Sequence, residues 1–179
     1  MRDEELIRQI QNGDASAMDK IAERYYSEIY RFLCRKLSDY NAAQDVTQTV
    51  FVKFAANFSH YSEQGKLRNY LFKLAANAGN DWFRAKTDFV SFNELQQTPS
   101  DSPTPESAAV SSDTAEIARH ALSRLPGFQR DVIIMRFYHG LSFRDIARIT
   151  GTSLSSAKSR YRQGMEKLKN LLMRELFYE

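Results

Sequence analysis

One stretch near the carboxyl end, residues 142–163, constrains the fold of this chain more than any other feature. Ser142 and Ser153 each precede a segment with helical spacing, where a side-chain hydroxyl can accept a hydrogen bond from a free backbone amide. Between the two segments lies Gly151, which can adopt a left-handed turn at little steric cost. This order of caps and turn predicts two short helices arranged as a helix-turn-helix.

The second helix of this motif has two unlike faces. Its apolar residues recur at steps of three and four and form one stripe: Leu154, Ala157, Tyr161, Met165, Leu168 and Leu172. The residues opposite or flanking this stripe are polar or cationic: Ser155, Ser156, Lys158, Ser159, Arg160, Arg162 and Gln163. If the stripe packs inward, the hydroxyls and the amide would meet the floor of a DNA major groove, and the cations would meet its phosphates. A solvated surface helix is the alternative interpretation, because look-alikes of this motif are common.

Charge is distributed unevenly over the 179 residues, although the net charge is only +3. Residues 1–86 hold 13 Lys or Arg against 11 Asp or Glu, residues 87–114 hold none against 5, and residues 115–179 hold 12 against 6. The last segment therefore suits a polyanion. The middle segment contains three prolines and many Ser and Thr, which is the composition of a flexible linker. We predict an N-terminal domain at 1–86, an acidic linker at 87–114 and a C-terminal domain at 115–179.

Several classes of function lack their characteristic residues. The single cysteine, Cys34, excludes an internal disulfide, and three scattered histidines offer no zinc cluster. The sequence has no Gly-rich phosphate loop, no spaced metal ligands and no compact nucleophile-base pair, so we predict no cofactor and no enzymatic activity. No apolar run approaches the length of a membrane span, and the acidic start is unlike a signal peptide. We therefore expect a cytoplasmic protein that does not insert into a membrane.

Apolar residues keep helical spacing through the rest of the chain, which predicts an all-α fold of two small domains. In the N-terminal domain we expect four helices, at residues 3–11, 15–37, 42–58 and 66–86. Asn41 and Gln44 resemble a capping box at the start of the third. In the C-terminal domain we expect helices at 115–124 and 128–138 before the helix-turn-helix.

Two helix faces in the N-terminal domain are candidate binding surfaces. The outward side of the third helix carries Asp45, Gln48, Thr49, Val52 and Lys53, and it is either a partner site or merely solvated. The fourth helix carries a polar stripe of amides and cations, Lys73, Asn77, Asn80 and Arg84. Amides pair with base edges and cations bind phosphates, while Phe58, His60 and Tyr61 in the preceding bend are able to stack on unpaired bases. The alternative for this stripe is a polar face without a ligand. Gly79 lies inside the same helix, where glycine is unfavourable, so we expect that either close packing or the close approach of another group requires it.

Three motifs in this order resemble the bacterial RNA polymerase sigma factors of the extracytoplasmic-function group, in the sigma-70 family. The most specific is LSRLPGFQRDVIIMRFYHGLSFRDIARITGTSLSSAKSRYRQGMEKLKNLL, at residues 122–172. DVTQTVF, at 45–51, resembles the family's polymerase-binding helix, and LRNYLFKLAAN, at 67–77, resembles its promoter-melting helix. Together the motifs extend over nearly the whole chain.

The resemblance implies a promoter-recognition subunit that binds core RNA polymerase and helps to melt promoter DNA. Contacts to the coiled coil of the largest polymerase subunit would come from Asp45, Gln48, Thr49 and Val52, and the flap would be a further docking site. The minus-ten element would be bound by Tyr61, Lys66, Lys73, Asn77, Asn80 and Arg84. Among these, Asn77 matches the asparagine of the family's pocket for a flipped base, and residues 61–66 match the loop that selects the base.

The resemblance also assigns the C-terminal domain, the linker and a regulator. Lys158, Ser159, Arg160 and Arg162 fall where the family contacts the minus-thirty-five element, with Ser155, Ser156 and Gln163 on the same face. The acidic linker would lie in the basic RNA exit channel of polymerase. An anti-sigma partner would cover the polymerase- and DNA-binding faces.

Two departures from the family pattern bear on these roles. Thr49 stands where the family usually has an acid, which puts one polar contact to polymerase in doubt. Gln163, Gly164 and Met165 stand where the family often has Arg-Ala-Arg, so affinity or sequence preference at the minus-thirty-five element would differ. The alternative function is a stand-alone helix-turn-helix regulator whose N-terminal domain dimerises or senses a ligand.

Overall fold

The computed structural model describes residues 2–62, 66–93 and 113–177, and every regular element within these ranges is helical. The N-terminal half contains α1 (Asp3–Gln11), α2 (Ser16–Leu37), α3 (Tyr40–Ala56), a 3₁₀ turn (Phe58–His60) and α4 (Leu67–Asn93). The C-terminal half contains α5 (Asp113–Ser123), α6 (Gly127–Ile133), α7 (Phe143–Thr150) and α8 (Leu154–Phe177). A π-helical turn, Ile134–Tyr138, continues α6. The all-α prediction is confirmed.

The turn between α2 and α3 is tighter than the sequence indicates. Ser38 ends α2 in the left-handed conformation, with φ of 56°. The Asp39 side chain then caps α3 by accepting a hydrogen bond from the Ala42 amide at 2.9 Å. The predicted capping box of Asn41 and Gln44 is therefore wrong, because the aspartate two residues earlier takes the capping position.

Helix α4 continues seven residues beyond its predicted end at residue 86. No Pro or Gly lies between 87 and 93, and the Thr87 hydroxyl bonds the Phe83 carbonyl within the helix at 2.9 Å. Of the predicted linker, residues 87–93 thus belong to α4 and residues 113–114 to α5. Residues 94–112 lie outside the described ranges.

The helix-turn-helix forms as predicted. The Ser142 hydroxyl accepts from the Asp145 amide at the start of α7, and Gly151 ends α7 with φ of 65°. The Ser153 hydroxyl accepts from the Ser156 amide at the start of α8. Local capping chemistry is therefore sufficient to define the motif.

The two halves of the chain pack against each other around a shared apolar core. Buried side chains of α2 and α4, such as Phe32 and Phe72, belong to the same cluster as Val132 and Met135 of α6 and its π-helical turn and Ile146 of α7. None of the helices in the described ranges combines the length and apolar character that a bilayer span requires.

Candidate nucleic-acid interface

The side of α8 that was predicted to face DNA is open to solvent. Ser155, Lys158, Arg162 and Gln163 are exposed, and the Gln163 amide donates to the Ser159 hydroxyl at 3.3 Å. This helix packs on α5, α6 and α7, all within its own half of the chain. The polar face predicted from the sequence is thus available for a ligand.

Two residues of α8 differ from the simple two-faced picture. Leu154, assigned to the apolar stripe, is 41% exposed because it begins the helix, one turn before the fully buried Ala157. The Arg160 guanidinium lies over the ring of Phe128, 5.2 Å from its centroid, and Phe128 is itself exposed. Stacking of this kind restricts the motion of the Arg160 side chain, so its guanidinium is held in one position rather than sampling many.

Close packing against α6 accounts for the unusual Gly164. A Cβ at this position would lie 2.8 Å from Ile133 Cδ1 and 3.1 Å from Gln129 Cβ. Glycine therefore permits α8 to approach α6 more closely than any other residue would. The Gln129 side chain, buried at this contact, reaches Gln163 at 3.5 Å.

The polar stripe of α4 is also exposed along its length. Lys73, Asn77, Asn80 and Arg84 all lie on the solvent side. Two of them have partners: Asn80 Oδ1 accepts from the Lys36 ammonium at 2.8 Å, and Arg84 lies 3.5 Å from Asp81. Asn77, one turn before Asn80, is exposed as well.

A cavity of about 320 Å³ opens beside the start of α4. Its wall includes Tyr61, which packs on Tyr70 with ring centroids 4.9 Å apart, and Lys66 and Lys73 stand at its rim. Phe54 and Phe58 complete the aromatic cluster around Tyr61. The structure thus brings Tyr61, Lys66 and Lys73 of the predicted minus-ten set to one cavity, whereas Asn77, Asn80 and Arg84 continue along α4. Residues 63–65 of the predicted base-selecting loop lie outside the described ranges.

Helix α7 contributes to this same cavity, which the sequence did not indicate. Arg148 and Ile149 form part of its wall. At its edge, Asp145 accepts hydrogen bonds from Lys66 at 3.0 Å and from the Asn69 amide at 2.9 Å. The Ser142 hydroxyl, with Lys66 and Asn69, lowers the pKa of Asp145, which therefore stays ionised.

A buried ion pair joins the two halves beneath the α4 stripe. The Lys36 ammonium bonds both carboxylate oxygens of Asp131 at 2.7 Å, and the two side chains are 1% and 8% exposed. Arg130 donates to the Lys36 carbonyl at 2.7 Å. Burial raises the pKa of Asp131, and the adjacent ammonium opposes that rise. Neither residue was singled out from the sequence, because the partners are 95 positions apart.

The buried lysine explains why α4 contains Gly79. A Cβ at Gly79 would lie 2.5 Å from Lys36 Cε and 2.8 Å from Lys36 Cδ. The lysine stem therefore crosses α4 at the one residue that leaves room for it. The close approach that Gly79 indicated in the sequence comes from within the protein.

A second polar link between the halves centres on Glu28. Arg68 donates to Glu28 from Nε at 3.1 Å and to the His139 carbonyl from Nη2 at 2.7 Å. Burial alone would raise the pKa of Glu28, but hydrogen bonds from His139 and Arg68 lower it to about 2. The His139 side chain is only 4% exposed and packs edge-on against Phe72, so it is less accessible than a turn residue usually is.

The candidate polymerase-binding face of α3 is exposed. Asp45, Gln48, Thr49 and Val52 all lie on the solvent side, and Val52 is 67% exposed. The Thr49 hydroxyl donates to the Asp45 carbonyl one turn earlier at 3.0 Å. Its hydrogen is therefore engaged within the helix.

In the described part of the chain, no group of three or more His, Cys, Asp or Glu could hold a metal ion.

Two family descriptions match the chain. "Sigma-70 region 2" matches residues 21–88, and "Sigma-70, region 4" matches residues 115–168. The first match covers most of α2 together with α3 and the greater part of α4, and the second covers nearly all of the C-terminal half.

The chain is also similar to characterised proteins over nearly its whole length. It is 30% identical to the RNA polymerase sigma factor YlaC of Bacillus subtilis, over 87% of this chain and 92% of that protein. It is 27% identical to the ECF RNA polymerase sigma factor SigW of the same organism, over 93% of this chain and 94% of that protein.

Two solved structures share the fold. One contains the sigma factor RpoE of Bartonella quintana in complex with the anti-sigma factor NepR, with a TM-score of 0.72, 23% identity, and coverage of 86% of this chain and 95% of that one. The other contains CnrH in complex with the cytosolic domain of CnrY, with a TM-score of 0.67, 20% identity, and coverage of 93% and 94%.

Proposed function

We propose, from the premise that this chain belongs to the extracytoplasmic-function group of the sigma-70 family of RNA polymerase sigma factors, that α8 and α4 bind two separate promoter elements. The protein directs core RNA polymerase to promoters and helps to melt the DNA. The observation that carries the residue assignments is the pairing of an exposed polar and cationic face on α8 with an exposed amide face on α4 beside an aromatic cavity.

The α8 face binds the minus-thirty-five element as a duplex. Lys158, Arg160 and Arg162 contact phosphates, and Ser155, Ser159 and Gln163 read base edges. Ser153, which caps the helix, orients its first turn, including Ser156. Gln163 replaces a cation of the family pattern, so we expect fewer phosphate contacts and a weaker salt dependence here.

The α4 face binds the minus-ten element after its bases unstack. Asn77 holds a flipped base, Tyr61 stacks beside it, and Lys66, Lys73 and Arg84 bind the strand backbone, with Asn80 alongside. Capture of unstacked bases offsets the cost of opening the duplex. The mechanism is binding without covalent chemistry, so we infer that the protein is not an enzyme.

The α3 face binds the coiled coil of the largest polymerase subunit. Asp45 and Gln48 supply polar contacts, and exposed Val52 supplies apolar area. Thr49 contributes little polar contact, because its hydroxyl already bonds its own helix. The C-terminal domain docks on the flap, and the acidic linker enters the RNA exit channel. We place the protein with polymerase in the cytoplasm.

Promoter binding requires the two halves of the chain to separate. The minus-ten and minus-thirty-five elements are about 25 base pairs apart, or roughly 85 Å along the duplex at about 3.4 Å per base pair. In the structure, by contrast, Lys66 of the minus-ten set lies 3.0 Å from Asp145 of the helix-turn-helix. We call this contact state of the two halves the packed arrangement. In the packed arrangement the two DNA-binding faces are too close together to reach both elements. A partner of the anti-sigma class, like those in the two similar structures, would act on this arrangement.

A run-off transcription assay with purified core polymerase tests the function. Transcripts from a promoter of this group should require the added protein, and Asn77→Ala should impair strand opening while leaving polymerase binding intact. Permanganate reactivity of unpaired thymines measures the opening. Unchanged reactivity in the variant would remove Asn77 from its role.

The alternative, a stand-alone regulator, makes the opposite prediction in the same assay. Such a protein would bind operator DNA without polymerase and would not support transcription. It is not favoured, because both the region 2 and the region 4 descriptions match this chain.

A further inference from the structure

A groove lies on the seam between the two halves, away from α8 and from the exposed stripe of α4. It encloses a cavity of about 360 Å³ between α2, the start of α3, α5 and the π-helical turn. A second cavity of about 350 Å³ adjoins it and shares Arg31, Arg35 and Tyr138 with it. We call the combined feature the seam groove. None of the DNA- or polymerase-binding residues assigned above lines it.

The seam groove carries arginines that have no carboxylate partner in the described part of the chain. Arg31 and Arg35 donate only to backbone carbonyls, each at 3.1 Å, and Arg119 lies over the Tyr40 ring at 5.6 Å. The one acid in the groove wall, Glu28, is engaged by Arg68 and His139. The groove is therefore cationic.

The rest of the wall is apolar and aromatic. Tyr40 and Tyr138 are 47% and 40% exposed, and Leu122 and the half-buried Cys34 also line the groove. Arg35 stacks over the Tyr138 ring at 4.2 Å. Such a surface fits an anionic segment that also has small apolar side chains.

A segment of this composition joins α4 to α5. Residues 94–112 contain Glu94, Asp101 and Glu106, no Lys or Arg, and an Ala-Ala-Val run at 108–110. The segment ends where α5 begins, and Ala115, Ala118 and Arg119 of α5 line the groove. At about 3.4 Å per residue, Glu106 has a reach of roughly 24 Å from the start of α5. The point at which this segment joins α5 therefore lies at the edge of the groove.

We propose that residues 94–112 occupy the seam groove in the free protein, with their carboxylates against Arg31, Arg35 and Arg119. Because the groove has walls from both halves, occupancy stabilises the packed arrangement. The same carboxylates are the ones assigned to the basic RNA exit channel of polymerase, a step that rests on the proposed function. Polymerase binding thus transfers the linker from one basic surface to another.

The single native cysteine makes this proposal testable, because Cys34 lies in the groove. Ser107→Cys places a second thiol one residue after Glu106. We expect the free Ser107→Cys protein to form an intrachain disulfide with Cys34 under oxidised glutathione, detected by its faster mobility on a non-reducing gel. Arg31→Glu with Arg35→Glu should suppress the bond. Adding Glu94→Lys, Asp101→Lys and Glu106→Lys to that double variant should restore it. Equal cross-linking in all three proteins would overturn the proposal.

The native thiol gives a second readout without any added cysteine. In the linker variant Glu94→Gln, Asp101→Asn, Glu106→Gln, we expect Cys34 to react with a thiol reagent about threefold faster or more than in the wild type. Raising the salt concentration should accelerate the reaction of the wild type in the same way. Equal rates at low salt would mean that the groove is empty or serves another molecule, and that result overturns the proposal. Both measurements use free protein, so failure here leaves the run-off assay unaffected, whereas failure of transcription alone would overturn only the proposed function.

Discussion

At the scale of single residues, Gly79 and Lys36 show how a local cost in one helix permits a contact between the two halves. Glycine inside a helix costs about 1 kcal/mol relative to alanine. Here it leaves room for the lysine stem that reaches Asp131. The sequence indicated a close approach at Gly79 but not its source, because a lysine near the end of α2 looks like an ordinary cation at a helix C-terminus.

Because these two residues are in contact, the effect of Gly79→Ala on the free energy of unfolding should depend on whether Lys36 is present. Gly79→Ala alone should lower the free energy of unfolding, because its Cβ displaces the buried lysine from Asp131. In a Lys36→Ala background the same substitution should be neutral or stabilising, by up to about 1 kcal/mol, since only helix propensity remains. Urea unfolding of the four proteins in this double-mutant cycle measures the coupling. Additive effects would show that Lys36 does not depend on Gly79.

Glu28 predicts a stability loss in acid. Its pKa is about 2 in the folded protein against an ordinary value of 4.5, so the unfolded state binds the proton more tightly. The stabilisation is complete above pH 4.5 and is lost as the pH falls from 4.5 toward 2. Allowing for solvent screening of a partly exposed group, the loss is about 1 to 2 kcal/mol. Unfolding free energies between pH 2 and 5 should therefore fall less steeply in Glu28→Gln than in the wild type, and parallel slopes would contradict the assignment.

At the scale of helices, the recognition motif was the most predictable part of the fold. Its caps and its left-handed glycine are all local, so Ser142, Gly151 and Ser153 were sufficient to define it. The end of α4 was not predictable in the same way, because residues 87–93 begin a stretch, 87–114, whose overall composition is that of a linker, yet they contain no helix-breaking residue themselves. The π-helical turn after α6 was not predicted either, because the dense apolar run there predicts an unbroken helix. The polar faces of α3, α4 and α8 were all found by helical spacing alone, although their roles remain predictions.

The contact between α6 and α8 yields a test that belongs to this scale. Gly164→Ala should destabilise the protein by about 1 to 3 kcal/mol, because the added methyl overlaps Ile133 and pushes α8 from α6. Gly127→Ala is the matched control, since nothing lies within 4 Å of a Cβ there. Thermal unfolding measures both variants. A Gly164→Ala protein as stable as the control would show that the helices do not require this approach.

At the scale of the whole molecule, the packed arrangement was beyond the reach of sequence patterns. Its polar links join Lys36 to Asp131, Arg68 to His139 and Lys66 to Asp145, and each pair is far apart in the chain. Amphipathic spacing identifies which face of a helix is apolar, but it does not identify the partner half. A shared core and a buried ion pair make the two halves one packed unit in the structure.

Removing one charge of that ion pair should favour separation. Asp131→Asn leaves a buried ammonium without its counter-charge, which costs about 3 to 5 kcal/mol. We expect a larger radius of gyration in X-ray scattering and tighter binding to core polymerase. Lys36→Met with Asp131→Leu is the control, because an apolar pair of similar volume should keep the halves together. If Asp131→Asn scatters like the wild type, the ion pair does not maintain the packed arrangement.

The distance between the two halves tests the central claim most directly. Spin labels on cysteines at Glu23 of α2 and Asn170 of α8, both exposed, report it in a Cys34→Ser background. We predict a single short distance in the free protein and an increase of several tens of ångströms when core polymerase and promoter DNA are added, as the roughly 85 Å between the two elements requires. An unchanged distance in a complex that still initiates transcription would contradict the account.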